Sequence, residues 1–285
     1  MKRYLKVGIS ACVFAMLAPS RIARRLFGLP GRRHLTVLMY HAVPSDQVKS
    51  FERQVQQLRR WAHVVPADFS DAALDRQSAG APHLVAITFD DAFESALDNG
   101  LPVLEAQRLP CTVFVPSGHL GHPPSWFMNS DLDRAEQVAT AAHISAVSSD
   151  LVAIGSHTVS HPYLTALPKD IARQELVQSK ERLAAISGRA VQLLAFPYGD
   201  HDPTIVDICR ECGYKQVFTV EPLPIQISRD VFVRGRVGVE PSDGRLEFFL
   251  KATGSYCWMP IVSSIKRRLL RSRNGTATAR PPLTA

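Results

Sequence analysis

Asp90 and Asp91 stand side by side at the end of an apolar run, 84–89. His157 and His161 follow a second run, 151–154, and Pro197-Tyr198-Gly199 follow a third, 192–196. Tyr40-His41 close a fourth, 35–40. Two imidazoles four residues apart can reach one metal ion when the segment between them forms a helical turn. A carboxylate from another strand end supplies a third ligand and leaves a position open for water, the make-up of zinc hydrolase centres. Adjacent aspartates point in different directions, so one can hold the ion while the other takes a proton from the attacking water. Taken alone, the histidines read as loop residues bonded to backbone, and the aspartates as a helix cap followed by a first-turn acid. Both readings would have to hold at once.

The elements that must position these residues follow from the apolar pattern. Strands are expected at 35–40, 84–89, 111–115, 151–154, 192–196, 216–220 and 231–237. Most are unbroken apolar runs, the mark of parallel strands buried on both faces. Helices are expected at 51–61, 93–107, 171–186, 204–212 and 244–252, with Asp202-Pro203 opening one of them and Gly188 and Gly213 each closing another. This alternation reads as one α/β domain with a parallel sheet or barrel, whose active site gathers where strands end.

Composition narrows the class. The chain has 285 residues, 46% hydrophobic and 21% charged, which excludes a disordered chain, a collagen-like fibre and a polytopic membrane protein. Five scattered cysteines give no disulfide framework. The net charge of +7 sits in the tails. Residues 1–34 hold eight Lys/Arg and residues 261–285 hold six, both without an acid, leaving 19 basic against 26 acidic residues between. A nucleic-acid enzyme would carry its basic residues round its cleft, so no nucleic-acid partner is expected; an anionic membrane surface suits such tails better.

The apolar stretch 7–18 is too short to cross a bilayer as a helix, which needs roughly 20 residues. It resembles the apolar core of a signal peptide, but Arg21, Arg24 and Arg25 follow it without an A-x-A site. An interfacial anchor is the favoured reading; the alternatives are an exported or anchored signal segment and a tail packed on the domain. At the other end, Trp258, Ile261, Val262, Ile265 and Leu269 share one helical face, opposite Ser264, Arg267, Arg268 and Arg271. That pattern suits a membrane-interfacial helix at 257–272, or a last helix packed on the barrel. Residues 273–285 read as a disordered tail. Together the tails point to a membrane-associated protein on the cytoplasmic face.

Three motifs make the reading specific. Thr88-Phe89-Asp90-Asp91, Ser156-His157-Thr158-Val159-Ser160-His161-Pro162 and Phe196-Pro197-Tyr198-Gly199 resemble the first three motifs of the polysaccharide deacetylase family, also called NodB-homology or carbohydrate esterase family 4. Leu38-Met39-Tyr40-His41 and Arg236-Val237-Gly238-Val239 resemble the family's single-domain bacterial branch. The likeness runs from about Leu35 to Gly254, inside a domain at 35–256. It implies a distorted (β/α) barrel with mainly parallel strands that removes N-acetyl groups from amino sugars of a polysaccharide, oligosaccharide or lipid-linked glycan. The reaction would use one divalent metal ion, most often zinc. By motif, Asp90 is the general base and Asp91, His157 and His161 are the metal ligands. The backbone N–H of Tyr198, after Pro197, helps hold the oxyanion.

Departures from the pattern are informative. The family's general-acid histidine near the end of the domain is missing, since none follows His201. Members with a rearranged strand order take it from the N-terminal Tyr-His, which assigns the role to His41; a packed strand-end histidine is the plain alternative. Ala92 replaces the usual Gly after the Asp pair, and the Arg that pairs with the catalytic Asp is absent around Ala195. Arg236 is the candidate replacement, a surface ion pair the plain alternative. Trp126 is expected to stack on a sugar face, with His119 and His122 beside it, or to cover the barrel mouth. An O-acyl sugar esterase using the same site and an inactive glycan-binding protein are the competing functions.

Overall fold

The computed structural model describes residues 2–26, 34–69, 83–128, 131–147, 149–226 and 231–262. Ten strands form one sheet: β1 (His34–Tyr40), β2 (His63–Val64), β3 (Leu84–Phe89), β4 (Cys111–Val115), β5 (Val152–Ser156), β6 (Leu193–Ala195), β7 (Gln216–Phe218), β8 (Ile225–Gln226), β9 (Val233–Arg234) and β10 (Val237–Gly238). Their order is β10-β1-β3-β4-β5-β6-β7-β9, every pairing along it parallel; β2 adds to β3, and β8 adds antiparallel to β1. The sheet therefore curls until its two edge strands, β9 and β10, are joined by only Gly235 and Arg236. This is the mainly parallel, distorted (β/α) barrel that the family resemblance implied, within the parallel sheet or barrel read from the alternation.

Side-chain alternation divides the strands between two cores. Leu35, Val37, Leu84, Ala86, Phe114, Leu193, Ala195 and Phe218 fill the inside. Leu38, Tyr40, Val85, Ile87, Phe89, Val113 and Val115 face the helices. Phe114 uses so much of the interior that a Cβ on Gly155 of β5 would lie 2.4 Å from its ring. That position must be glycine.

Around the sheet lie α2 (Val48–Arg59), α3 (Leu101–Ala106), α4 (Asp131–Arg134), α5 (Ala141–Val147), α6 (Lys169–Ser187), α7 (Pro203–Glu211) and α8 (Arg245–Ala252). Asp202 caps α7 through Ile205 N–H, with Pro203 in its first turn, and Gly188 ends α6 in the left-handed conformation. The helix expected at 93–107 is broken. Residues Ala96–Gly100 form a π turn in which Leu101 N–H bonds the Ala96 carbonyl, beside Pro102, which has no N–H to continue the ordinary ladder. The strand expected at 231–237 is split at Gly235-Arg236. A Cβ at Gly235 would come within 2.3 Å of the Glu221 carbonyl oxygen, and the chain turns there to send Arg236 inward.

The N-terminal segment is helix α1 (Lys2–Leu26). Val7, Ala11 and Phe14 pack against the core, Phe14 meeting Phe249 of α8 edge-on at 5.2 Å. Trp258 donates its indole N–H to Ser10 at 2.9 Å, and Arg3 pairs with Asp243 and Glu247 at 3.0 and 2.7 Å. The C-terminal helix expected at 257–272 is described only as far as Val262; its remainder and the tail 273–285 lie outside the described residues. Among the described residues no helix is long and apolar enough to cross a membrane.

Candidate active site

Residues 84, 86 and 88 of β3 alternate inward, so Asp90 tops the interior column of the barrel. Its backbone N–H still bonds the Tyr40 carbonyl at 2.8 Å. Below it Arg236 lies fully buried, its guanidinium over the rings of Phe114 and Phe218 at 5.3 and 6.0 Å. Arg236 donates both terminal nitrogens to Asp90, Nη1 to Oδ1 at 2.6 Å and Nη2 to Oδ2 at 2.7 Å. Its Nε bonds the Thr219 carbonyl at 3.3 Å, and Nη1 also reaches Thr88 Oγ1 at 3.3 Å. The pair is therefore not on the surface. It is a two-pronged contact inside the barrel, the strongest geometry an arginine offers a carboxylate. Burial works to raise the pKa of Asp90, but the charges of Arg236 and His157 and the Arg236 hydrogen bonds overcome it and hold the carboxyl at about 2. Asp90 is ionised at neutral pH.

Asp91 turns the other way because the backbone does. Asp91 and Ala92 both adopt left-handed conformations, with φ of 65° and 49°. This explains the family's glycine at position 92, since a left-handed Cβ costs roughly 1–2 kcal/mol. The turn aims Asp91 Oδ1 at two imidazoles, 3.6 Å from His157 Nε2 and 3.4 Å from His161 Nε2. The ligand atoms of Asp91, His157 and His161 all lie within 4.8 Å of one another, and all three residues are buried. Burial first, then the Asp90 charge, push the Asp91 pKa well above the usual carboxylate range.

His157 continues the β4–β5 pairing through its N–H to the Val115 carbonyl, and its Nδ1 meets the Ala195 carbonyl at 2.8 Å. That bond puts the ring proton on Nδ1 and leaves the Nε2 lone pair facing Asp91. Burial keeps both rings neutral at pH 7, with pKa values lowered to about 4 for His157 and about 2 for His161. The segment between them is not the helical turn expected. It is an irregular bend with Thr158 and His161 left-handed, at φ 68° and 58°. Two neutral imidazoles and a buried carboxylate oxygen without a hydrogen-bond partner fit a divalent cation: the donor set is complete and lacks only positive charge.

The other expected residues gather round this cluster. Trp126 stacks on His161 at 4.4 Å with the planes 17° apart, so one face of the indole is taken by a site histidine. Its N–H turns towards Asp91 without reaching hydrogen-bond geometry. His119 meets Trp126 edge-on at 5.0 Å. Tyr198, after buried Pro197, is left-handed at φ 59°, stands edge-on to His161 at 4.8 Å and has its hydroxyl oxygen against the Phe127 backbone N–H. His41 is half-buried at the end of β1, near enough for its charge to act on Asp90, His157 and His161. Sequence reasoning quoted Thr88 in a motif but gave it no role, though it supports Arg236, and it did not pick out Tyr163, which stacks on Tyr198 at 4.1 Å. It also passed over Glu175, whose carboxylate bonds the bend between the two histidines.

The parallel barrel thus carries at its strand ends an Asp–His–His cluster that could hold a metal ion, beside a second, arginine-paired aspartate. A family model described as polysaccharide deacetylase matches residues 77–217, and the chain belongs to that family. A chitooligosaccharide deacetylase of Rhizobium leguminosarum bv. trifolii is 23% identical over 58% of this chain and 67% of its own length. A poly-β-1,6-N-acetyl-D-glucosamine N-deacetylase of Staphylococcus aureus is 22% identical over 58% of this chain, and the match spans only 57% of that relative. Among solved structures, IcaB from Ammonifex degensii aligns with a TM-score of 0.63 and 26% identity, covering 78% of this chain and 97% of that one. The Streptococcus pyogenes deacetylase PplD, in complex with acetate, shares the fold at TM-score 0.62 and 20% identity.

Proposed function

We propose that this protein is a divalent-metal-dependent N-deacetylase acting on N-acetylated amino-sugar glycans, with zinc as its metal. The observation that carries the reading is the division between the two aspartates. Asp91 approaches both histidines, at 3.6 and 3.4 Å, while Asp90 reaches only His157, at 4.0 Å, and has both its oxygens engaged by Arg236, which keeps it ionised. Mere glycan binding has no use for a free carboxylate beside a metal site. An ion held by Asp91, His157 and His161 would supply positive charge for the acyl oxygen and the attacking water. Asp90 accepts the proton of that water, and Arg236 fixes the direction of its oxygens. The Tyr198 backbone N–H bonds the acyl oxygen as negative charge grows on it. His41 gives a proton to the sugar nitrogen as the C–N bond breaks, so that acetate and a neutral amine leave.

Acetate release from β-1,4- and β-1,6-linked N-acetylglucosamine oligomers tests this. Release should stop with a chelator and return with zinc. A protein that releases acetate only from O-acetylated sugars is an esterase built on the same site. One that binds the oligomers and releases nothing is a binding protein.

A second observation bears on location. While α1 packs the half-buried Val7 and Phe14 against the core, it leaves Tyr4, Leu5 and Met16 exposed, and Ile261 and Val262 are exposed beyond Trp258, which bonds α1. We infer that this two-faced helix rests on anionic lipid at the cytoplasmic face and that the glycan arrives on a lipid carrier. Lys/Arg near such a surface contribute ~1 kcal/mol each, lost with added salt. Flotation with anionic liposomes at low salt, reversed at high salt, is the expected result. A protein that never floats contradicts it.

A further inference from the structure

The bend between the two site histidines is a poor conformation for its own sequence. Thr158 and His161 are both left-handed, and a β-branched residue rarely accepts that region. Such strain persists only where the surroundings over-determine the backbone. Here they do. Ser117 and Gly118 donate their N–H groups to the Thr158 and Val159 carbonyls, at 3.0 and 2.8 Å. A Cβ at Gly118 would sit 2.6 Å from that Val159 oxygen, so the approach needs glycine. Ser156 Oγ accepts from Thr158 N–H, and Thr158 Oγ1 accepts from His161 N–H.

The groups facing away from β4 are held by α6. Glu175 Oε2 accepts from the backbone N–H of Val159 and of Ser160, at 2.8 and 2.9 Å. Its Oε1 accepts from Ser160 Oγ at 2.7 Å. One turn on, buried Ser179 shares a 2.8 Å hydrogen bond with Ser156 Oγ. Glu175 and Ser179 are four residues apart, so one helix face presents both straps to the bend. Hydrogen bonds to a carboxylate are roughly twice as strong as neutral ones, which makes Glu175 the principal strap.

We propose that Glu175 is a positioning residue for metal binding: it holds the bend so that His157 and His161 present their Nε2 atoms to one ion together. It is not among the three candidate ligands, and its hydrogen bonds go to Val159 and Ser160 of the bend. The inference rests on the metal-dependent reading above and deepens it, since it locates part of the metal affinity in α6 rather than in the ligands. Without the carboxylate, the bend relaxes from its left-handed conformations and His161 must be re-ordered each time an ion binds.

The test is zinc titration of the full chain, by chelator competition, for wild type, Glu175→Ala, Glu175→Gln and Ser179→Ala, with Tm recorded for each metal-free form. Glu175→Ala should weaken zinc binding by about 10–100-fold, the range seen when a partner that orients a ligand is removed. Saturating zinc should then restore kcat close to the wild-type value. Glu175→Gln keeps an acceptor oxygen for the two N–H groups and should recover most of the affinity; Ser179→Ala should lose less than Glu175→Ala. Should Glu175→Ala fail to fold, Glu175→Gln and Ser179→Ala carry the comparison: each should bind zinc measurably more weakly than wild type, but by less than about 10-fold, since each keeps part of the strap. Unchanged zinc affinity in the folded variants, or activity that saturating zinc does not restore, overturns the role of Glu175 alone. Wild type that binds no zinc overturns the metal reading and this inference with it.

Discussion

Two stretches of the barrel do different work with different architecture. From β3 to β5 each strand runs five or six residues and pairs in continuous register, Phe89 against Val113 and Val115 against Ser156. From β8 to β10 each strand is two residues long, and the barrel closes through Gly235 and Arg236 alone. The metal-ligand candidates leave the ends of the regular half. The partner of Asp90 comes from the irregular half, where breaking the strand lets one side chain enter the interior. Regular strands fix where ligands start; an interruption delivers a charge to a place that regular alternation leaves to apolar side chains.

Arg236→Ala should break this arrangement most severely. It leaves an aspartate buried and unpaired, which costs about 3–5 kcal/mol in denaturant unfolding. Burial would then raise the Asp90 pKa against only the weaker pull of the nearby histidines, weakening the base and lowering activity even in molecules that stay folded. Combining Arg236→Met with Asp90→Asn should recover much of the stability and none of the activity. If Arg236→Ala unfolds like wild type, the buried pair is not what stabilises the interior.

His41→Ala sits at the other border of the site and should lower kcat by about 10²–10⁴-fold, as loss of a general acid does, with metal content unchanged. An activated ester, whose leaving group needs no proton, should be much less affected. Equal loss on both substrates would make His41 structural. Gly235→Ala tests the closure itself: its Cβ meets backbone oxygen at 2.3 Å, and overpacking of this kind costs about 1–3 kcal/mol. A Tm equal to wild type would mean the joint is slack. Ala92→Gly is the smallest change. Relief of a left-handed alanine is offset by a lost buried methyl and a freer unfolded chain, so stability should move by less than about 1 kcal/mol. Metal content should not change.

The same contrast explains what the sequence made legible. The run 84–89 is β3 to the residue, because a strand buried on both faces reads as a nearly unbroken apolar run, here interrupted only by Thr88. The polar clusters at strand ends stood out for that reason, and Arg236 was a candidate for the missing charge, with a surface ion pair as the other reading. The two-residue strands β2 and β8 have no period to detect. The docking of α1 was one of three readings left open, because an apolar stripe flanked by arginines has the same pattern against lipid and against a barrel. Glu175 carries no local signature, since its role lies entirely in the loop it meets.

The central claim is that neighbouring aspartates hold separate offices, one for the metal and one for the proton. The direct measurement is zinc content and acetate release, side by side, for Asp90→Asn and Asp91→Ala. Asp90→Asn should retain wild-type zinc and lose at least ~10²-fold in rate, as removal of a general base does. Asp91→Ala should lose both zinc and activity. Equal zinc loss in the two variants would contradict the account.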